Sequence, residues 1–456
     1  MSTNTDGVSI AAGLADVERI FDAQRQHRWT VKQTTVHERK ALLERLRTVL
    51  VASSGEVIGA LNTDLGRASR LSTAEFGAVL QDIDDALAHL DAWMAPTPIM
   101  PASHFGSGAR AEIRYEGRGV VLLFGPWNFP FGLVFQPLVP IIAAGNTCIV
   151  KPNELAPATS TVTANIIRSV FDEQHVAVVE GGVDVADALL ELPVDHIFFT
   201  GSPAVARIVM GRAAVHLASV TLELGGKCPA VVDTTADLPT AVRNIATGKH
   251  QNAGQICLSP DHVWVHDDVR ERFVDGYLEW VSSNLCKGDE LDVDRLGRLI
   301  NQRNFDRVQD YVKDAVRRGA TSMPAASVSA GNLVVAPTVL TGVDNDAAIM
   351  QEEIFGPVMP VMQYRELSAV VDSIRQQGKP LAMYIFSQDD DVVERLLTET
   401  SSGGVTVNGW ALHSSDTGLP FGGIGSSGIG RYHGIHGFRE LSHARSVFVA
   451  DAEKGR

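Results

Sequence analysis

Cysteine is scarce in this chain, and none of it is clustered. Cys148, Cys228, Cys257 and Cys286 form no CxxC pair, which argues against a zinc site and a disulfide scaffold and fits a reducing compartment. Positive charge is also short: 39 lysines and arginines stand against 54 acidic residues, a formal net charge of −15. A chain this acidic, with no local basic patch, repels nucleic acid. There is no internal repeat and no low-complexity tract, and the opening MSTNTDGVSIAAG lacks the basic-then-apolar order of a secretory signal. The one long apolar run, residues 120–150, is interrupted by Pro126, Pro130, Pro137 and Pro140. It therefore reads as strand, turn and helix and not as a membrane span. The polar end, VFVADAEKGR, is no anchor either, and the expectation is a cytoplasmic protein.

What is present is an ordinary globular composition over 456 residues, 45% hydrophobic and 20% charged, enough for two or three domains. Residues 1–100 read as helices. KALLERLRTVLVASSGEVIGAL carries apolar residues at helical spacing, and Ser72 with Glu75 has the form of a capping box before a helix ending near Trp93. TPIMPASHFGSG, 97–108, reads as a linker. From residue 119, short apolar runs alternate with helical stretches: GVVLLFG before 131–143, TCIVKP before 159–173, VAVV before 184–191 and HIFFTG before 203–214. That alternation predicts a parallel sheet with crossover helices, whose ligands bind beyond the carboxyl ends of the strands. GPWNFP, KPNE and FTGS lie at those ends. A second alternating stretch runs from about 224 to 405, with helices near 236–250, 267–285 and 302–318. RRGATSMPAASVSAGN reads as a surface loop, and the tail from Gly418 as too glycine-rich for regular structure and suited to covering something. RAEIRYEGRG, 110–119, reads as an exposed arm strand and ARSVFVA as another that can pair across subunits, which predicts a homodimer.

Cys257 sits in NAGQICLSPD, a polar loop after a helical stretch. A single cysteine is commonly a small buried hydrophobe, although Gln255 and Ser259 make a purely apolar niche a poor fit. With its pKa lowered by backbone dipoles or a cation, its thiolate would be a strong nucleophile. Glu223 ends the apolar strand of VTLELGGK; a carboxylate there either pairs with a cation or, its pKa raised, serves as a general base. Gly225 and Gly226 admit close backbone approach by a ligand. Asn128 lies in a turn between strand and helix, where its amide either satisfies nearby backbone or is aimed at a developing oxyanion. Gly201 and Ser202 precede a helix whose free amides suit a phosphate, although FTGSPAVA is not the GxGxxG pattern.

In order along the chain, GPWNFP, KPNE, FTGS, VTLELGGK, NAGQICLSPD, GRLINQRNFDRV, EEIFGPV and LPFGGIGSSGIGRYHG resemble motifs of the aldehyde dehydrogenase superfamily, over nearly the whole length. The last of them, with Arg431, Tyr432 and His433, and the short amino-terminal region resemble the class-three branch, which includes fatty, benzaldehyde-type and coniferyl aldehyde dehydrogenases. The resemblance implies an α/β fold with an open parallel Rossmann-type cofactor domain (1–100 and 119–222) and a second α/β catalytic domain (223–405). A small β bridging arm with a C-terminal cover (101–118 and 406–456) completes it. It implies oxidation of an aldehyde, aromatic or medium- to long-chain aliphatic, to the acid with NAD; class-three relatives often accept NADP as well. By the same resemblance Cys257 is the nucleophile, Glu223 the general base and Asn128 the oxyanion donor. Lys151 and Glu154 meet the adenosine ribose, Gly201 and Ser202 the pyrophosphate, and Glu353 and Phe355 the nicotinamide ribose and ring, with Trp127, Leu224 and Gly225 beside them. A carboxylate at Glu154 favours the free hydroxyls of NAD over the added phosphate of NADP.

The chain departs from that pattern in places. Ala206 stands where FTGS is commonly followed by glycine, Phe129 where tyrosine is frequent, and NGWALHSSDTGLPFGG where NDTLLH is common. Phe129, Trp410 and His413 thereby reshape the substrate passage. None of these changes touches Cys257, Glu223 or Asn128. Two related readings compete: a relative that passes the acyl group to coenzyme A, which would not need Glu223, and a non-enzymatic protein that keeps the fold. A zinc-dependent oxidoreductase has no Cys/His cluster to build on, so no metal is expected.

Overall fold

Apolar residues at helical spacing, Leu43, Leu46 and Leu50 among them, are fully buried and seat an amino-terminal layer of helices against the first sheet. The computed structural model describes residues 6–288, 290–327 and 333–451. Residues 1–5 of the opening stretch, 328–332 of the small-residue loop and 452–456 of the polar end lie outside the described residues. The helices are α1 (Asp6–Lys32), α2 (Val36–Ala52), α3 (Ser54–Leu65) and α4 (Ser69–Met94), so the single helical stretch read over 40–61 is broken at Ser53. The capping box is not at Ser72 and Glu75. It opens α2, where Thr35 Oγ1 accepts from Glu38 N and Thr35 N donates to Glu38 Oε2 at 2.7 Å. Ser72 lies inside α4, its hydroxyl donating to Asn62 Oδ1 at 2.8 Å, and Glu75 is turned inward to Arg67.

The segment read as a linker begins with strand β1 (Thr97–Ile99), antiparallel to β2 (Arg110–Gly117). Then follow β3 (Val120–Phe124), α5 (Gly132–Ala144), β4 (Thr147–Lys151), α6 (Pro157–Val170), β5 (Val176–Val178), α7 (Val183–Leu190), β6 (His196–Thr200), α8 (Pro203–His216) and β7 (Ser219–Glu223). The five strands pair in parallel in the order β7-β6-β3-β4-β5. The chain leaves β3 to one side first and returns to the other at β6, and this reversal opens a crevice at the carboxyl ends. Every residue of β3 and β4 is buried, which explains their unbroken apolar runs. No described helix is long and apolar enough to cross a membrane.

The second sheet is built from β8 (Pro229–Val232), α9 (Leu238–His250), β9 (His262–His266) and α10 (Asp267–Leu285), a small pair β10 (Cys286–Lys287) and β11 (Glu290–Leu291) standing outside it. It continues through β12 (Thr321–Pro324), β13 (Thr338–Thr341), β14 (Val358–Tyr364), β15 (Ala382–Phe386) and β16 (Gly404–Val407), in the order β12-β13-β14-β9-β8-β15-β16. Only β12, at the edge, is antiparallel; it lies within the stretch read as a loop, whose middle borrows its ladder from β13. The tail is also more regular than its glycines imply. β17 (Gly428–Ile429) pairs antiparallel with the end of β7, and a helix spans Gly434–Glu440. Strand β18 (Ser442–Val449) pairs with β2 of the same chain along its whole length, so ARSVFVA finds its first partner in cis, and its other edge carries no strand among the described residues.

Candidate active site

The loop after α9 is held in a conformation few residues accept. Asn252, Ala253 and Gly254 all have positive φ, 52°, 53° and 78°, a strain on the order of 1–3 kcal/mol for each non-glycine residue. Gly254 has no alternative, because a Cβ there would stand 2.4 Å from the Gly356 carbonyl oxygen. Side chains hold the turn: Gln255 Nε2 donates to the Asn252 and Arg298 carbonyls, and its Oε1 accepts from Ile300 N. The two carbonyls that follow are pinned as well. That of Cys257 accepts from Cys228 Sγ at 3.3 Å, and that of Leu258 accepts from Tyr384 OH at 2.6 Å and Trp410 Nε1 at 3.0 Å. Sequence reading missed Tyr384, which carries no motif.

The GPWNFP turn is fixed from the helical layer. Glu75 Oε1 accepts from Phe131 N and Gly132 N at the start of α5, and Glu75 is paired with the buried Arg67. Arg67 also donates to the Asn128 carbonyl, and its guanidinium lies 5.2 Å from the centre of the Phe129 ring. Asn128 Nδ2 donates to the Gln255 carbonyl at 3.0 Å, and its own carbonyl accepts from Asn252 Nδ2 at 3.0 Å. The amide predicted to face an oxyanion thus spends one N–H on the nucleophile loop and keeps a second.

Cys257 and Glu223 line one cavity of about 350 Å³, with Phe129, Leu224, Trp410 and Tyr432 in its walls. His413 does not join them. Ala411 turns the chain at φ 55°, and His413 packs instead on Gly404 with Nδ1 2.7 Å from Thr406 Oγ1. Burial, then the neighbouring Glu353 and Glu223 carboxyls, push the Cys257 thiol up to about 12. Among the largest influences, those that lower it are the backbone amides of Cys257 and Leu258. Burial raises Glu223 well above the carboxylate range against the pull of Arg431, and neither carboxyl oxygen has a hydrogen-bond partner. The reading of Glu223 as half of an ion pair fails on that geometry.

The predicted cofactor residues gather at the carboxyl ends of β3, β4, β6 and β7. Lys151 is buried with Nζ 2.6 Å from Glu154 Oε2, and Glu154 is half exposed. Ser202 caps α8 by accepting from Val205 N, Gly201 N donates to the Glu223 carbonyl, and Leu224 N donates to the Ser427 carbonyl. Ala206 is buried on the inner face of α8. The Glu353 carboxyl rests on Gly225, where a Cβ would lie 2.2 Å from Oε2. Phe355, at φ 46°, meets Trp127 edge-on at 5.4 Å. Beneath them Lys227 pairs with Asp261 and donates to the Ile349 and Glu352 carbonyls, while Asp261 Oδ1 accepts from Ile354 N at 2.8 Å. That pair, which ties LGGK to EEIFGP, was not foreseen.

Burial and the Asp261 charge raise Glu353 from 4.5 to about 8. A carboxyl raised on folding costs stability progressively as pH climbs from its unfolded value towards its folded one. Glu353→Gln is therefore expected to raise the cofactor-free melting temperature more at pH 8 than at pH 5. A difference independent of pH would show that Glu353 is not held protonated.

Comparison with known proteins follows the same lines. The family model described as "Aldehyde dehydrogenase family" matches residues 5–447. "Aldehyde dehydrogenase, dimeric NADP-preferring" of Rattus norvegicus is 40% identical over 410 residues, 89% of this chain and 88% of its own. "Coniferyl aldehyde dehydrogenase" of Pseudomonas sp. is 38% identical over 421 residues, 90% of this chain and 86% of its own. The solved structure described as "Substrate bound state of Staphylococcus Aureus AldH" superposes with a TM-score of 0.91 at 34% identity, covering 96% of this chain and 94% of that one.

Proposed function

The chain belongs to the aldehyde dehydrogenase family and oxidises aldehydes to acids with NAD or NADP; from that premise we propose that the reaction runs through a thioester on Cys257. The observation that carries the proposal is the shared cavity, with a pinned thiol and an unpartnered, buried carboxyl in one wall system. The Cys257 thiol gives up its proton to water, and the thiolate attacks the aldehyde carbon. The free N–H of Asn128 and the Cys257 backbone amide stabilise the oxyanion. The dinucleotide fits the crevice: Glu353 is a buried acceptor suited to ribose hydroxyls, and the first-turn amides of α8 suit a pyrophosphate. Held there, a nicotinamide dinucleotide would supply the hydride acceptor for oxidation of the substrate carbon. Glu223 then draws a proton from water, which cleaves the thioester and frees Cys257 and the acid.

Glu223 also favours hydrolysis over transfer to coenzyme A, since only the former needs water activation. Leu71, Phe129, Leu133 and Trp410 give the cavity apolar walls, which supports aromatic or medium- to long-chain aliphatic aldehydes. Residues 1–100 and 119–222 are proposed to hold the cofactor, 223–405 the nucleophile, and 101–118 with 406–456 to form the arm and C-terminal cover; the separate sheets support this division, while β1 pairs in the arm sheet and β17 with β7. The scarcity and wide spacing of the cysteines in the sequence support a cytoplasmic setting.

Glu154 stands 2.6 Å from Lys151 Nζ at the end of β4. Glu154→Gln is expected to raise the NADP-to-NAD ratio of kcat/KM by roughly tenfold, because the lost carboxylate no longer repels the added phosphate. An unmoved ratio places Glu154 away from the ribose. The free outer edge of β18 supports a homodimer; light scattering should report twice the chain mass, and a monomer at micromolar concentration counts against it.

A further inference from the structure

The cavity changes character along its length. On α4 its lining runs through Leu71, Ala74, Glu75, whose carboxyl is engaged by Arg67 and the Phe131 and Gly132 amides, and Ala78 to Gln81 and Asp82, and on α5 from Leu133 to Gln136. The C-terminal wall passes from Trp410 to Ser414 and Ser415, and Gln81 Nε2 reaches the Ser415 carbonyl at 3.4 Å, so these changes meet at one end. There Asp82 is buried with Oδ2 accepting from Gln136 Nε2 at 2.9 Å and Oδ1 3.3 Å from His433 Nδ1. Glu75, on the same helix, holds the turn that carries Asn128, and Asp82 lies seven residues on, about 10 Å of helix rise. Tyr432 spans the interval, stacked on His433 at 4.3 Å and lining the same cavity as Glu223, Cys257 and Asp82.

Resting on the aldehyde reading above, we infer that Asp82, oriented by His433 and Gln136, accepts a hydrogen bond from a hydroxyl at the far end of the substrate, so that the preferred aldehydes carry a distal hydroxyl. Each carboxylate oxygen has two acceptor sites, and the known contacts leave capacity on both. A distal carboxylate is disfavoured by like charge, and an unsubstituted alkyl end leaves this polar wall without a partner. Asp82 acts on specificity and not on the bond-making steps.

The test compares kcat/KM with NAD for octanal against its terminal-hydroxyl analogue, and for benzaldehyde against its para-hydroxy analogue, in wild type, Asp82→Asn and Asp82→Ala. The wild type should prefer at least one hydroxylated aldehyde by about tenfold or more, and Asp82→Ala should bring that ratio near one by lowering kcat/KM for the hydroxylated member more than for the plain one. Asp82→Asn, which keeps the volume, should fall between them and guards against a folding defect. A wild-type ratio near one, or equal losses on both members of a pair, overturns the inference. Failure to oxidise any of the four aldehydes overturns the reaction assignment itself, and this inference with it.

Discussion

Cys257→Ser is expected to lower kcat by about three to four orders of magnitude or more while leaving cofactor affinity unchanged. A hydroxyl in this niche is a far weaker nucleophile than a thiolate, and burial with the Glu353 and Glu223 carboxyls already pushes the thiol up to about 12. The substitution should not disturb the fold, because the loop is pinned through the carbonyls of Cys257 and Leu258 and the side chain of Gln255, not through the sulfur. Steady-state NADH formation and cofactor binding by fluorescence give the two readouts. More than a few per cent of wild-type turnover in purified Cys257→Ser would remove Cys257 from the mechanism. In the cofactor-free wild type, alkylation of Cys257 should be slow near neutrality and quicken with each rise in pH, since the reactive thiolate grows as pH approaches the raised pKa.

Glu223→Gln should separate the two half-reactions. Glutamine keeps the shape, and it removes a carboxyl that makes no hydrogen bond and is raised by burial, so the variant should be at least as stable as the wild type. If Glu223 activates water, one equivalent of NADH forms and turnover then falls by a hundred- to ten-thousandfold, roughly the usual worth of general-base help. The acyl group stays on Cys257 and appears as added mass in the intact protein. No burst and no adduct would assign Glu223 to deprotonation of Cys257 before attack. Turnover at the wild-type rate would exclude it from both steps, and a product found as acyl-coenzyme A would replace hydrolysis with transfer.

The errors of sequence reading have physical causes. Ser72 and Glu75 have the spacing of a capping box, but α4 begins three residues earlier and both side chains are claimed by distant partners, Asn62 and Arg67. His413 was placed with Trp410 because their segment replaces the NDTLLH of relatives; past the left-handed turn at Ala411, Trp410 lines the cavity while His413 packs on Gly404 and Thr406. The glycine-rich tail forms a strand and a helix because the β7 edge supplies a partner that no local propensity reveals.

Sequence alone determined the two alternating α/β stretches and the candidates Cys257, Glu223 and Asn128, with Glu353 added by the family resemblance. Periodicity, turn chemistry and motif order are local properties, carried by residues near one another in the chain. Only the tertiary structure decided how those residues are held and charged. The Arg67–Glu75 brace on the Asn128 turn, the Lys227–Asp261 tie and the Asp82–His433 contact, 351 positions apart, join elements with no shared pattern. The raised thiol of Cys257 and the unpartnered state of Glu223 depend on burial. Burial belongs to the packed molecule, where the cost of removing a charge from water is set by whatever the fold brings beside it.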